Sequence, residues 1–239
     1  MILPRPGRMV WRPRPLHYTF QFGVVFEKLP YLLGGALLTL EVAFLSFWLG
    51  ACIGLLGALG KSYGAKPIRW LINAYVIFFT NTPALVQIFF LFYALPDAGI
   101  LLSPMTAVVI GMTLNSGAYL TDILRGGILS VRREEIETAQ VLGMSGPQMV
   151  RYVILPHIAK TIYAPLSNFF IWLVLGSSMA AVFGVEELTG RAINISTQNL
   201  RTIETYSVIA VMYIGLTFIA SIALALVGRW AFRVRARIF

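Results

Sequence analysis

Charged side chains are what this sequence has least of. Lysine, arginine, aspartate and glutamate make up 12% of its 239 residues, about half the share of an ordinary soluble domain. A soluble domain of this length would need a charged surface, so that class is excluded. A single cysteine, Cys52, excludes an intrachain disulfide, and with only His17 and His157 beside it no metal-ligand cluster can form. Acidic residues number 10 against 19 basic ones, a net charge of +9. The basic residues flank apolar runs and form no separate basic domain with interleaved aromatics, which excludes nucleic acid as a partner. No HExxH, GxSxG or buried His-carboxylate pair supports a membrane protease or lipid hydrolase. Gly57-Ala58-Leu59-Gly60-Lys61-Ser62 ends in GKS, but a phosphate loop needs glycine at position 55, where Leu stands, so no nucleotide site is encoded. The basic N-terminus has no short apolar region with a cleavage site behind it, so no removable signal peptide is expected.

What fills the chain instead is apolar: 58% of residues are hydrophobic and the mean hydropathy is +0.77. Spans of roughly 20 apolar residues are predicted at about 33–59, 70–95, 105–124, 162–183 and 206–228. The fold class is all-α, a polytopic membrane helix bundle of five transmembrane helices. Residues 1–32 form a basic tail and interfacial segment, 33–228 the transmembrane domain, and 229–239 a second basic tail. Lys61, Lys66 and Arg69 put the first connection on the cytoplasmic side by the positive-inside rule. Arg125, Arg132, Arg133, Arg151 and Lys160 then fall inside with the C-terminal arginines, and Arg191 and Arg201 outside. The N-terminus, with Arg5, Arg8, Arg12, Arg14 and Lys28, is periplasmic on this reading. Trp11, Tyr18, Phe20, Phe22 and Phe26 suit an interfacial segment over Leu16–Lys28 in contact with membrane lipid.

Several intramembrane residues are candidate pathway groups. Pro83, among Thr80, Asn81 and Thr82, should break the second span, and such a break is tolerated only against protein or a wet cavity. That directs attention to Thr82, Pro83 and Gln87. Glu41 is an intramembrane carboxylate, by default a functional candidate or a group reaching interfacial water. Asn115, Ser116, Asn168, Ser177 and Ser178 can bond across helices or to a zwitterionic solute. Gly50, Gly54 and Gly57 give the first span a small-residue face for close helix packing. Asp122 is three residues before Arg125 and is expected to pair with it. Segment 184–205, with Glu186, Glu187, Arg191, Asn194 and Arg201, is the outer surface most suited to a delivering protein.

Residues 125–161 are too patterned for a plain loop: two amphipathic helices are predicted, broken at Gly146-Pro147. Ile136, Ala139, Val141 and Leu142 supply one apolar face; Met149, Val150, Val153 and Ile154 supply the other. Within them stand Glu137-Thr138-Ala139, then Gly143, then Val153-Ile154-Leu155-Pro156. This pattern resembles the EAA loop, here about 134–156, of bacterial ABC importer permeases. Thr82-Pro83-Ala84-Leu85-Val86-Gln87, Leu114 to Leu120 followed by Arg125-Gly126-Gly127, and Gly184 to Thr189 resemble further stretches of the polar amino acid branch. The resemblance runs over about 30–230.

It implies that a cytoplasmic ABC ATPase dimer docks on the loop through Glu137, Thr138, Ala139, Gly143, Leu155 and Pro156. Gly143 would end the first loop helix in a left-handed cap and Pro156 would re-aim the chain into span four. The ATPase would bind ATP and Mg, and this chain no cofactor. A periplasmic solute-binding protein would deliver the solute, and a second permease subunit, a copy or a homologue, would complete the pathway in the inner membrane. The sequence departs from the family's RGTP, NEF and KDTSL stretches at Thr80–Pro83, Asn168–Phe170 and Leu175–Met179, where charged sites are neutral. An alternative is an ion-coupled secondary transporter run by a carboxylate such as Glu41.

Overall fold

The computed structural model describes residues 18–232, and all regular structure among them is helical. Residues 1–17 and 233–239, with Trp11 and most of both basic tails, lie outside the described residues. A short turn α1, Gly23–Phe26, leads into α2, Leu29–Tyr63. At 1.5 Å per residue α2 runs about 50 Å, well beyond a hydrocarbon core of about 30 Å. It extends the predicted 33–59 span at both ends. Next comes α3, Lys66–Thr80, at about 22 Å too short to cross alone. Here the predicted 70–95 span is two pieces: the helical stretch Ala84–Ala98, opening with α4 (Ala84–Phe89), turns by 101° from α3.

The third crossing is α5, Pro104–Leu129, started by Ser103, whose hydroxyl accepts the Thr106 N–H at 3.1 Å. A loop helix α6, Arg133–Val141, then α7, Gly146–Met149, follow as predicted for the 125–161 segment. The structure corrects what comes after. A wide π turn at Val150–Ile154 joins α7 to α8, Leu155–Gly176, in one helical run of Gly146–Phe183. The predicted 162–183 span therefore has no separate start, and Pro156 does not re-aim the chain. The wide turn displaces one hydrogen bond at the point where Pro156 lacks its N–H, so the helix continues through it. In the outer segment lies α9, Leu188–Asn199, before α10, Thr202–Phe232.

One core joins α2, α4, α5 and α8 through Val42, Ile88, Met112, Leu120 and Leu173; a second joins α2, α9 and α10 through Leu32, Leu188, Ile195 and Ile209. The α2–α5 contact is the tightest. A Cβ on Gly50 would lie 2.6 Å from that of Ser116, one on Gly54 2.7 Å from that of Leu120, and one on Gly57 would collide with Thr121. Glycines at i, i+4 and i+7 thus let α5 lie directly on α2, as small-residue faces do in membranes.

Two further expectations change. Asp122 pairs with Lys61 at 2.9 Å across this seam, not with Arg125, because α2 runs far enough to bring Lys61 alongside. The segment 18–28 is also more than interfacial. Gln21 N–H donates to Glu204 Oε1 at 3.0 Å, Tyr18 donates to the same carboxylate, and Arg201 donates to the Thr19 carbonyl at 3.0 Å. With Val25 fully buried, the segment is docked onto the start of α10.

Candidate functional site

The break between α3 and α4 begins as a hydrogen-bonding problem. A helix that ends leaves carbonyls without partners, and in the hydrocarbon region water cannot supply them. Side chains do so here. Thr80 donates to the Val76 carbonyl at 2.7 Å, Asn81 to Ile77 at 2.8 Å and Thr82 to Phe78 at 2.8 Å. Phe79 accepts from Gln87 Nε2 at 3.1 Å and Asn115 Nδ2 at 2.9 Å, and Thr80 accepts from the Tyr119 hydroxyl at 3.3 Å. All five carbonyls from 76 to 80 are met. The run Thr80-Asn81-Thr82-Pro83 is a capping set that lets the helix stop, and Gln87 ties the next helix back to it through the Thr82 carbonyl at 3.0 Å.

Beside this break an open recess of about 470 Å³ is lined by Thr80 to Leu85, Asn115, Tyr119, Trp172 and Met179. That volume suits a small ligand, and none of its lining residues is charged. Of the predicted pathway residues, Thr82, Pro83 and Asn115 line it and Gln87 supports it from behind. Asn168 is exposed one turn from Trp172 on the same face of α8. Ser116 is buried against Gly50 and donates to the Met112 carbonyl. Ser177 is buried and bonded to the Val174 carbonyl, and Ser178 is half-buried and bonded to Leu175. Glu41 is exposed on α2 among Leu37, Phe44 and Leu45, away from the recess. Sequence reasoning missed Tyr119, Trp172 and Met179. The available signal was Tyr119, one helical turn after Asn115 on the same face.

At the other end, the 134–156 loop projects from the bundle. Gly143 ends α6 with φ +72°, the left-handed cap expected of it, and a Cβ there would meet nothing within 4 Å. Glu137 accepts from Arg133 Nε at 2.9 Å and both remain exposed. The expected apolar face divides. Ala139 is buried and Ile136 half-buried, whereas Val141 and Leu142 are 87% and 70% exposed. Thr138 is exposed; Leu155 is exposed and Pro156 half-buried at the root of α8. His157 braces the loop from α8, 3.2 Å from Glu135 and 3.2 Å from Ser130.

The outer segment is built around Glu187, fully buried. Its carboxylate accepts from Gly190 N–H at 2.9 Å, capping α9, and from Thr39 and Tyr213 at 3.0 Å each, joining α2, α9 and α10. Burial raises its carboxyl above the usual range despite these donors.

The model of the family described as binding-protein-dependent transport system inner membrane component matches residues 50–233. The chain belongs to that family. It is 34% identical over 211 residues to the glutamine transport system permease protein of Escherichia coli strain K12, covering 86% of this chain and 94% of that protein. It is 37% identical over 190 residues to the L-cystine transport system permease protein of Bacillus subtilis strain 168, covering 80% and 79%. A chain of the crystal structure of an amino acid ABC transporter with histidines superposes with a TM-score of 0.82 at 33% identity, over 89% of this chain and 99% of that one. Membership in this binding-protein-dependent family makes the chain a multi-pass inner-membrane permease of an ABC importer, with ATP hydrolysis on a separate subunit. The ion-coupled alternative has no support.

Proposed function

We propose that this chain passes an amino acid across the inner membrane along the flank formed by Thr80–Pro83, Asn115, Tyr119, Asn168 and Trp172. The observation that carries this reading is the capped break of α3 opening on an uncharged polar recess. Broken backbone and side-chain amides at membrane depth are stable only against protein or a water-filled cavity. This flank of a single chain is open, so a second permease, a copy or a relative, covers it and completes the pathway. Glutamine, cystine and amino acid transporters among the relatives support an amino acid as the solute.

At the cytoplasmic end the ATPase dimer docks on Glu137, Thr138, Ala139 and Gly143, with Leu155 and Pro156 carrying its motion into α8. Exposed Val141 and Leu142 support this, since apolar side chains on a loop outside the membrane need a protein partner. ATP and Mg bind to that partner. The C-terminus is cytoplasmic and the N-terminus periplasmic, and the outer segment around α9 receives the solute-binding protein.

Cysteine accessibility tests the pathway. With Cys52 replaced by Ser, Asn81→Cys and Trp172→Cys in the assembled transporter react with a charged maleimide, whereas Leu56→Cys, exposed on α2 among apolar neighbours, does not. Equal protection of all three would place the recess against lipid and end this reading.

A further inference from the structure

The loop helix α6 has little to hold it to the bundle. Ala139 is its one buried residue, and an open cleft of about 800 Å³ beside it is lined by Glu135, Thr138, Ala139, Leu142 and Val153. Among the described residues one side-chain polar contact leaves this helix for the bundle: Glu135 Oε2 lies 3.2 Å from His157 Nδ1 on α8. The other ring nitrogen, Nε2, lies 3.2 Å from Ser130 Oγ at the end of α5. Which protons the ring carries follows from these neighbours. Ser130 has a single hydroxyl proton, and its 2.7 Å contact with the Gly127 carbonyl requires it, because a carbonyl cannot donate. Ser130 Oγ therefore faces the ring as an acceptor, and Nε2 carries a proton. The same bond leaves Ser130 unsuited to act as a nucleophile. A carboxylate is an acceptor too, and a bare Nδ1 lone pair turned toward it would repel, so Nδ1 carries the second proton. The ring bridges α5 and α6 as an imidazolium.

We infer that His157 is a positioning residue for the ATPase: doubly protonated, it fixes α6 against α5 and α8 in the docking geometry, and loss of its Nδ1 proton frees α6. This rests on the reading of the loop as the docking surface. Histidine is the side chain that changes charge between about pH 5 and 8, the range of a cytoplasm. The neutral ring keeps its Nε2–H bond to Ser130 but turns a lone pair on Glu135, so one proton leaves and only the α6 contact is lost. From α6 the charged group facing the ring is Glu135, and from α5 it is a hydroxyl that does not titrate in this range. The remaining charges at this end of the packed elements are Asp122 and Arg125 on α5, Arg132 and Glu134 at α6, Arg151 and Lys160 beside the ring in sequence, and Arg229 on α10. None of them forms an ion pair with His157 or Glu135 among the described residues.

The nucleotide-free permease–ATPase complex in nanodiscs, compared at about pH 6 and about pH 8, tests this. Two quantities are read: amide hydrogen exchange of Arg133–Val141, corrected for the intrinsic rate at each pH, and the dissociation constant of the ATPase. In the parent, α6 exchanges about three-fold faster and the ATPase binds about three-fold more weakly at the higher pH, the scale of one partly exposed ion pair. Glu135→Gln removes the pH dependence of both, because an amide can donate to a bare Nδ1 as readily as it accepts from a protonated one. His157→Gln, which has no proton to lose, also abolishes it. Dividing each variant's values by the parent's removes whatever pH dependence the ATPase has of its own. Parallel pH profiles in the parent and both variants overturn the inference, as does tighter α6 protection at the higher pH in the parent. Gly143→Arg separates the two readings. ATPase binding at parental strength in that variant overturns the docking surface itself, whereas lost binding together with parallel profiles overturns only the role of His157.

Discussion

Glu187 shows how much structure one side chain organises, because α2, α9 and α10 all end a hydrogen bond on it. Glu187→Ala leaves the Gly190 N–H and the Thr39 and Tyr213 hydroxyls without their acceptor, at a cost of roughly 2–4 kcal/mol. Its pH dependence has a definite sign. The folded carboxyl sits above 4.5, so the folded chain holds its proton to higher pH than the unfolded chain does. Stability from this group is full below about 4.5 and is lost as pH rises through the raised value. Thermal melting in detergent checks this: relative to the parent, Glu187→Gln gains melting temperature as pH rises from 4.5 toward neutrality. A parallel pair of curves would contradict it. The acid was visible in the sequence as part of a polar outer segment, but its burial was not, since Thr39 and Tyr213 are distant in sequence. Lys61 and Asp122 were unreadable for the same reason; local spacing favoured Arg125. Pro83, by contrast, announced its break, because the missing N–H acts within its own turn.

Elements follow the sequence where the signal is local. The glycines of α2 predicted close packing, and α5 is the helix they receive. Gly54→Leu forces a side chain into Leu120 and should abolish a stable fold in detergent, seen as loss of the monodisperse gel-filtration peak. Gly126→Ala on α5, where a Cβ meets nothing within 4 Å, leaves that peak unchanged. At the break, Gln87→Leu strands the Phe79 and Thr82 carbonyls of one of their donors and costs roughly 2 kcal/mol, read as a lowered melting temperature. Span limits were less legible. Apolar runs mark what the bilayer needs, whereas α2 and α10 continue past it and α8 merges with the loop helix before it, through polar turns that hydropathy reads as boundaries. Helix α9 was missed as an element because its polar face resembles an ordinary loop.

As a whole molecule the chain is a bundle with two unmatched surfaces, an uncharged open flank within the membrane and an apolar-tipped loop outside it. On the proposed function both are covered in an assembly larger than one chain. Family membership and the EAA-like loop were recoverable from local motifs; the recess was only half recoverable, because Trp172 on α8 joins Asn115 and Tyr119 on α5 solely through the packing of the two helices. The central claim is that energy from a separate ATPase enters through the loop centred on Gly143. Its left-handed φ of +72° admits other residues only with strain of about 1–2 kcal/mol, so Gly143→Ala should weaken coupling while the loop persists. Gly143→Arg adds a bulky charge to the proposed docking surface without touching the membrane core. The decisive measurement is ATP-dependent solute uptake by proteoliposomes holding the complete transporter with Gly143→Arg. The account predicts that uptake is lost while the permease stays folded and its complex with the solute-binding protein still forms; uptake at the parental rate would contradict it.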